Sequence, residues 1–190
     1  ECTGIKDGKY IITDLNGDGE ISDDDRTYVG DAQPDLTFGW QNNFTWKNWD
    51  FSFFFRGTIG NKVLNNPRAA YANNTYLIGT NALDDELTYT MKESSRVCSY
   101  YLENGSFIRL DNLALGYTFD TKKINWLDKA RLYFAAQNLF VITGYKGLDP
   151  EVELFRGESS DTDAGLSPGI EPRQFFPKAR TFTLGVNLTF

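Results

Sequence analysis

An all-β chain built from membrane-crossing strands is the fold class the sequence predicts, on three observations. Apolar and polar residues alternate in five separate stretches, the period of a strand with one apolar side. The connections between those stretches are alternately short and long, as in a transmembrane barrel with tight periplasmic turns and long outer loops. Three of the four Trp residues, Trp46, Trp49 and Trp126, fall beside the short connections, where an interfacial aromatic girdle would lie.

The first stretch is DLTFGWQNNFTWK. Leu36, Phe38, Trp40, Phe44 and Trp46 share one face, and Asp35, Thr37, Gly39, Gln41, Asn43, Thr45 and Lys47 the other. A tight turn at Lys47 and Asn48 leads into WDFSFFFRGTIG, where Trp49, Phe51, Phe53, Phe55 and Ile59 oppose Asp50, Ser52, Arg56 and Thr58, with Phe54 as the exception. SFIRLDNLALGYTF is irregular at its start, after which Leu113, Leu115, Tyr117 and Phe119 stand opposite Asn112, Ala114, Gly116 and Thr118. ARLYFAAQNLFV is the most ambiguous of the five. RTFTLGVNLTF is the cleanest, with Phe182, Leu184, Val186, Leu188 and Phe190 on one side and Thr181, Thr183, Gly185, Asn187 and Thr189 on the other.

These stretches divide the chain into an acidic outer loop at 1–34, a hairpin at 35–60, a long loop at 61–105, a second hairpin at 106–141, a long loop at 142–178 and a terminal strand at 179–190. Strands of roughly ten residues suit a tilted crossing of a bilayer. So few strands cannot close a barrel, and an open sheet in lipid leaves edge amides unpaired at several kcal/mol each. Further strands are therefore expected from the same polypeptide. The opening ECTGIKDGKY, with no initiator Met and no signal-peptide pattern, is expected to belong to a longer chain.

Composition narrows the function classes. Fifteen Phe, ten Tyr and four Trp against one Met favour strands over helices. The net charge of −7 is concentrated, with eight acids and one Arg between Asp14 and Asp35 and a second acidic group from Asp149 to Glu171, which excludes nucleic acid as a natural partner. The absence of His rules out a Ser-His-Asp site or a His-ligated metal within this chain. Asp149 and Glu151 are too close in sequence to act as a facing carboxylate pair on a strand, so no enzyme activity is expected. Cys2 and Cys98 permit at most one internal disulfide.

One motif implies an ion. DLNGDGEISDDD fits a calcium loop, whose oxygen ligands come from positions 1, 3, 5, 7, 9 and 12 with Gly at 6. Counted from Asp14, these are Asp14, Asn16, Asp18, Glu20 by its backbone carbonyl, Ser22 through water, and Asp25, with Gly19 at the turn and Ile21 at the eighth position. Asp25 departs from the bidentate Glu of an EF-hand, and flanking helices are not evident. A structural calcium that offsets the crowded acids and stiffens an outer loop is the expectation, and a solvated Asx-rich turn without an ion is the alternative.

The segments DLNGDGEISDDDRTYVG, NGSFIRLDNLALGYTF, RLYFAAQNLFVITGYKGLDPEV and FFPKARTFTLGVNLTF, in that order and spacing, resemble the C-terminal part of the SusC/RagA family of TonB-dependent outer-membrane transporters. The resemblance covers nearly the whole chain. It implies the last strands of an antiparallel transmembrane barrel of about 22 strands, with the plug and TonB box upstream. It also implies a bacterial outer-membrane location, a SusD-like surface lipoprotein partner, energy from TonB, and import of oligosaccharides or peptides. A strand ending on Phe190 is similar to the signal that the barrel assembly machinery recognises. Tyr71, Tyr76, Tyr100 and Tyr101 are candidates for stacking on sugar rings or for packing the loops. The competing fold is a secreted β-sandwich that binds calcium and carbohydrate. A sandwich hides its apolar faces, whereas a barrel wall exposes them.

Overall fold

The computed structural model describes residues 1–73, 79, 81–94, 96–122, 124, 126–152, 168–173 and 176–190. Tyr76 and parts of the 61–105 and 142–178 segments, including much of their second acidic group, lie outside the described residues. In chain order the strands are β1 (Cys2–Lys6), β2 (Lys9–Ile12), β3 (Leu36–Trp46), β4 (Trp49–Ile59), β5 (Lys62–Leu64), β6 (Leu102–Asn104), β7 (Phe107–Phe119), β8 (Lys129–Thr143) and β9 (Thr181–Thr189). Among the described residues two short α-helices, α1 (Asn66–Tyr71) and α2 (Glu86–Thr90), fall between β5 and β6. The chain forms two compact units: a sheet unit of residues 36–59, 107–143 and 177–190, and a loop unit of 1–35, 60–106 and 144–176.

The sheet unit is an antiparallel meander in the order β3, β4, β7, β8, β9. The alternating stretches of the sequence are its five strands. Register aligns their apolar sides: Phe44 faces Phe51, which faces Leu115, which faces Phe134, which faces Leu184. One apolar face therefore runs unbroken across five strands. It is bare: Trp40 is 55% exposed, Phe44 52%, Phe182 60% and Leu184 74%. A sandwich would bury these side chains, whereas a wall facing lipid exposes them.

The opposite face is polar and internally paired. Arg131 on β8 grips Asp50 on β4 with both nitrogens, Nε to Oδ1 at 2.9 Å and Nη2 to Oδ2 at 2.5 Å, a bidentate geometry. The bridge spans the strand between them at Gly116, where a Cβ would sit 2.4 Å from Arg131 Nη2 and 2.5 Å from Asp50 Oδ1. Only glycine leaves room for it.

The irregular stretches have a physical cause. Between β4 and β7, Asp111 is an extra residue, since Phe54 faces Asn112 and Phe55 faces Leu110. Against β8 the same residue stands opposite Asn138 and Leu139. Asn138 takes a φ of +51°, a left-handed value that Asn tolerates better than most residues. This is a β-bulge. It returns Leu110 and Leu113 to the same face and points Asp111 at Arg56, Oδ2 to Nε 3.2 Å.

The loop unit has its own small core of Ala69, Ala72, Leu87, Met91 and Tyr101, with Ile5, Tyr10, Leu64, Cys98 and Tyr100 packed on it. Asn65 caps α1 by accepting from the Arg68 amide, and Asp85 caps α2 by accepting from the Leu87 amide. The span read from sequence as an acidic loop, 1–34, begins instead with a hairpin of β1 and β2. Its turn is Asp7 and Gly8, with φ of +53° and +81°, the two left-handed residues that a type I′ turn requires.

Candidate functional site

The acidic loop is organised by its own side chains. Asp14 accepts from the Gly17 amide at 2.6 Å through Oδ1 and from the Gly19 amide at 2.8 Å through Oδ2. Asn16 Oδ1 accepts from the Asp18 amide at 3.0 Å, and Asp18 Oδ1 from the Glu20 amide at 2.8 Å. The Asn16 amide group donates to Asp18 Oδ2 at 2.8 Å. Gly19, at the sixth position, has a φ of +84°, which a side chain would resist. The sequence folds here as consecutive Asx turns because short acidic and amide side chains reach their own backbone two residues on.

Asp25 is different from the other five. It is buried, and both its oxygens are committed, Oδ1 to the Leu15 amide at 2.7 Å and Oδ2 to the Ser22 amide at 2.8 Å. Ser22 Oγ in turn accepts from the Asp24 amide at 3.1 Å, completing a capping box around the turn Asp23–Asp25. Hydrogen bonds from the Ser22 and Leu15 amides hold the Asp25 carboxyl below the usual carboxylate range. Asp25 is the clasp that brings the end of the loop back to its beginning.

Asp14, Asn16, Asp18 and Glu20 thus line the open part of the loop, while Ser22 and Asp25 are engaged in closing it. Among the described residues no three Asp, Glu, Cys or His side chains are gathered into a group that could hold a metal ion. The donor chemistry still fits a hard cation: every candidate offers oxygen, and a carboxylate oxygen that accepts one amide keeps a second lone-pair site.

The sheet unit carries a second feature, at the end of the short turns. Trp46 pairs with Trp49 across the Lys47 and Asn48 turn, and Trp49 packs on Tyr117 at 4.7 Å between ring centroids. Tyr117 meets Phe119 at 4.9 Å, and Trp126 stacks on Phe190 at 5.8 Å and 13°. Trp46, Trp126 and Phe190 are each about two-thirds exposed or more, at 67%, 67% and 73%. A row of amphipathic rings along one rim is what a membrane interface selects.

Sequence reasoning missed a polar hub in the loop unit. Glu171, fully buried, accepts from Tyr145 Oη at 2.5 Å and from the Leu148 amide at 2.9 Å. Glu103 accepts from the Lys146 amide at 2.7 Å and sits 3.6 Å from Arg68 Nη1, and Arg68 Nε meets Asp85 at 2.7 Å. Burial alone would raise the Asp85 carboxyl, but the Arg68 guanidinium and the Leu87 amide outweigh it and hold the group below the usual range. Burial and the Glu171 carboxylate push the Tyr145 phenol up. The partners lie 17 to 43 residues apart, so no local pattern announces them.

Two other expectations resolve at once. Tyr101 is fully buried and its hydroxyl lies 3.0 Å from that of Tyr10, so it packs the loop unit and does not stack on a sugar. Tyr100 is half-buried beneath Arg68, whose guanidinium lies 5.7 Å from its ring. Asp149 is buried and accepts from the Glu151 amide at 2.9 Å in a local turn.

No family model matches the chain. Curated proteins do. It is 36% identical over 197 residues to the TonB-dependent receptor P3 of Formosa agariphila, covering 96% of this chain and 19% of that protein. It is 30% identical over 194 residues to the TonB-dependent receptor SusC of Bacteroides thetaiotaomicron, covering 95% of this chain and 17% of that one. The chain therefore spans about a fifth of the length of the curated relatives it matches. Among solved structures, the RagAB peptide transporter matches with a TM-score of 0.66 and 26% identity over 90% of this chain and 19% of the other. The RagAB peptide importer in its closed-closed state matches with a TM-score of 0.71 and 25% identity over all of this chain and 22% of the other.

The clasp predicts a pH dependence. Because the closed loop holds Asp25 below its unfolded value of about 3.9, the closure it provides is fully present above that value and is lost as pH falls through the lower folded-state value. Hydrogen exchange of the Leu15 and Ser22 amides, corrected for intrinsic rates, is expected to stay flat from neutral pH to about 5 and to rise below about 4. Asp25→Ala should show the raised exchange at every pH, and a flat profile down to pH 2 in the unsubstituted protein would contradict the clasp.

Proposed function

The chain belongs to the SusC/RagA family of TonB-dependent receptors, as a segment of such a receptor, and on that premise we propose that it supplies C-terminal strands and outer loops of a bacterial outer-membrane barrel that imports oligosaccharides or peptides. The observation that carries this reading is the two-sided sheet: an exposed apolar face continuous over five antiparallel strands, backed by a polar face with cross-strand ion pairs. Such a sheet has a lipid side and a lumen side.

In this reading the aromatic rim of Trp46, Trp49, Trp126 and Phe190 sits at the periplasmic interface, and the strand ending at Phe190 is presented to the barrel assembly machinery. The loop unit lies outside the cell and meets a SusD-like lipoprotein. TonB acts through parts of the receptor beyond this segment. The protein makes and breaks no covalent bond in its substrate, and its work is transport.

We also propose a structural calcium ion in the acidic loop, held by Asp14, Asn16, Asp18, the Glu20 carbonyl, Ser22 through water, and Asp25. Support comes from the ligand spacing and from the Asx turns that already aim Asp14 and Asp18 oxygens around Gly19. Asp25, already closing the loop, would tie a bound ion to the loop's fold.

Two experiments test these readings. Cells lacking the receptor that carries this chain are supplied with labelled oligosaccharide and peptide pools, with and without a protonophore. Uptake of one class is expected to fall to background and to return on complementation only while the protonmotive force is intact; undiminished uptake of both classes would overturn the import reading. Titration calorimetry of the full receptor in detergent is expected to show one calcium site whose affinity drops about tenfold or more in Asp14→Ala, with magnesium a weak competitor. No heat of calcium binding in the unsubstituted receptor would remove the ion from the account.

A further inference from the structure

The first hairpin is fastened to the chain just before β6 through its leading residues. Cys2 donates its amide to Ser99 Oγ at 2.8 Å, and the Ser99 hydroxyl lies 3.1 Å from the Cys2 carbonyl as its donor. This clasp joins residues 97 apart in sequence. Those two bonds bring Cys98, the residue before Ser99, beside Cys2, and Cys98 packs against the cluster containing Leu87, Met91 and Tyr101. Both cysteines are free thiols in this structure, Cys2 buried and Cys98 half-buried, and both belong to the loop unit.

Two adjoining thiols have three ordinary uses, as metal ligands, as a nucleophile or as a bonded pair. A metal centre needs more ligands, and none is gathered among the described residues. A nucleophile needs a thiolate, whereas burial and the neighbouring Cys2 push the Cys98 thiol up to about 12. A groove lined by Glu1, Ile12, Arg96, Val97 and Ser99 has both Cys2 and Cys98 in its wall.

We propose that Cys2 and Cys98 form a disulfide in the mature receptor, locking the first hairpin to the turn before β6. The oxidant is the protein disulfide of a dithiol oxidoreductase. Before the loop unit folds and buries the two thiols, one cysteine attacks that protein disulfide as the thiolate and forms a mixed disulfide, and the other, likewise as its thiolate, attacks the mixed bond and expels the oxidoreductase thiolate. Two protons and two electrons leave the pair, and the oxidoreductase ends as its dithiol. The proposal rests on the outer-membrane reading only for this oxidant, which an exported protein meets on its way. The bond spans a long loop, and cross-links of that kind restrict the open chain most.

Intact cells are treated with a membrane-permeant alkylating reagent, and the full receptor is then purified and its peptides mapped without reduction. The expected result is a linked pair containing Cys2 and Cys98, lighter by two hydrogens than the two thiol peptides, which separates on addition of dithiothreitol. After reduction, protease should cut within residues 1–35 roughly tenfold faster. Recovery of both cysteines in alkylated form would overturn the proposal, even with the receptor in the outer membrane. A linked pair in a protein absent from the outer membrane would uphold the bond and overturn the location. The map is made on the unsubstituted receptor, so it decides the matter whether or not Cys98→Ser folds.

Discussion

The sheet unit is organised by the pairing of its backbone amides into continuous ladders. A strand against hydrocarbon cannot leave an N–H or C=O free, at several kcal/mol for each unsatisfied group. The five strands meet that demand among themselves through continuous antiparallel ladders. Among the described residues nothing pairs with the outer edges of β3 and β9, and a closed barrel is the arrangement that would satisfy both edges.

With the ladders fixed, side-chain alternation assigns the two faces. Phe, Leu and Trp on one side stay exposed, as side chains on the lipid face of a barrel do. On the other side polar groups find one another across strands, and Gly116 is the concession that lets Asp50 and Arg131 meet over β7. The bulge at Asp111 and Asn138 serves the same end. It shifts the phase by one residue so that both halves of β7 and β8 keep their apolar sides together.

Much of this was legible in the sequence, and the exceptions are instructive. β9 reads without ambiguity because nothing interrupts its alternation from Thr181 to Thr189. β8 reads poorly because Asn138 and Leu139 insert a residue that a period of two cannot represent. The Asp7 and Gly8 turn of the first hairpin was a readable signal, overshadowed by the acidic run that follows it. The twelve-residue loop was visible as a ligand pattern, but the separate duty of Asp25 as its clasp was not, since hydrogen-bond direction is set by the folded backbone. The Tyr145 and Glu171 hub was illegible for a different reason: its members come from distant segments and follow no periodicity.

The account turns on which face of the sheet meets lipid, and one measurement addresses that directly. In a full receptor freed of Cys2 and Cys98, each residue from Thr181 to Thr189 is replaced in turn by Cys, labelled with an environment-sensitive fluorophore and reconstituted in bilayers containing nitroxide lipids. The account predicts strong quenching at 182, 184, 186 and 188 and weak quenching at 183, 185 and 187, a period of two along β9. Equal quenching on both faces, or none on either, would contradict it.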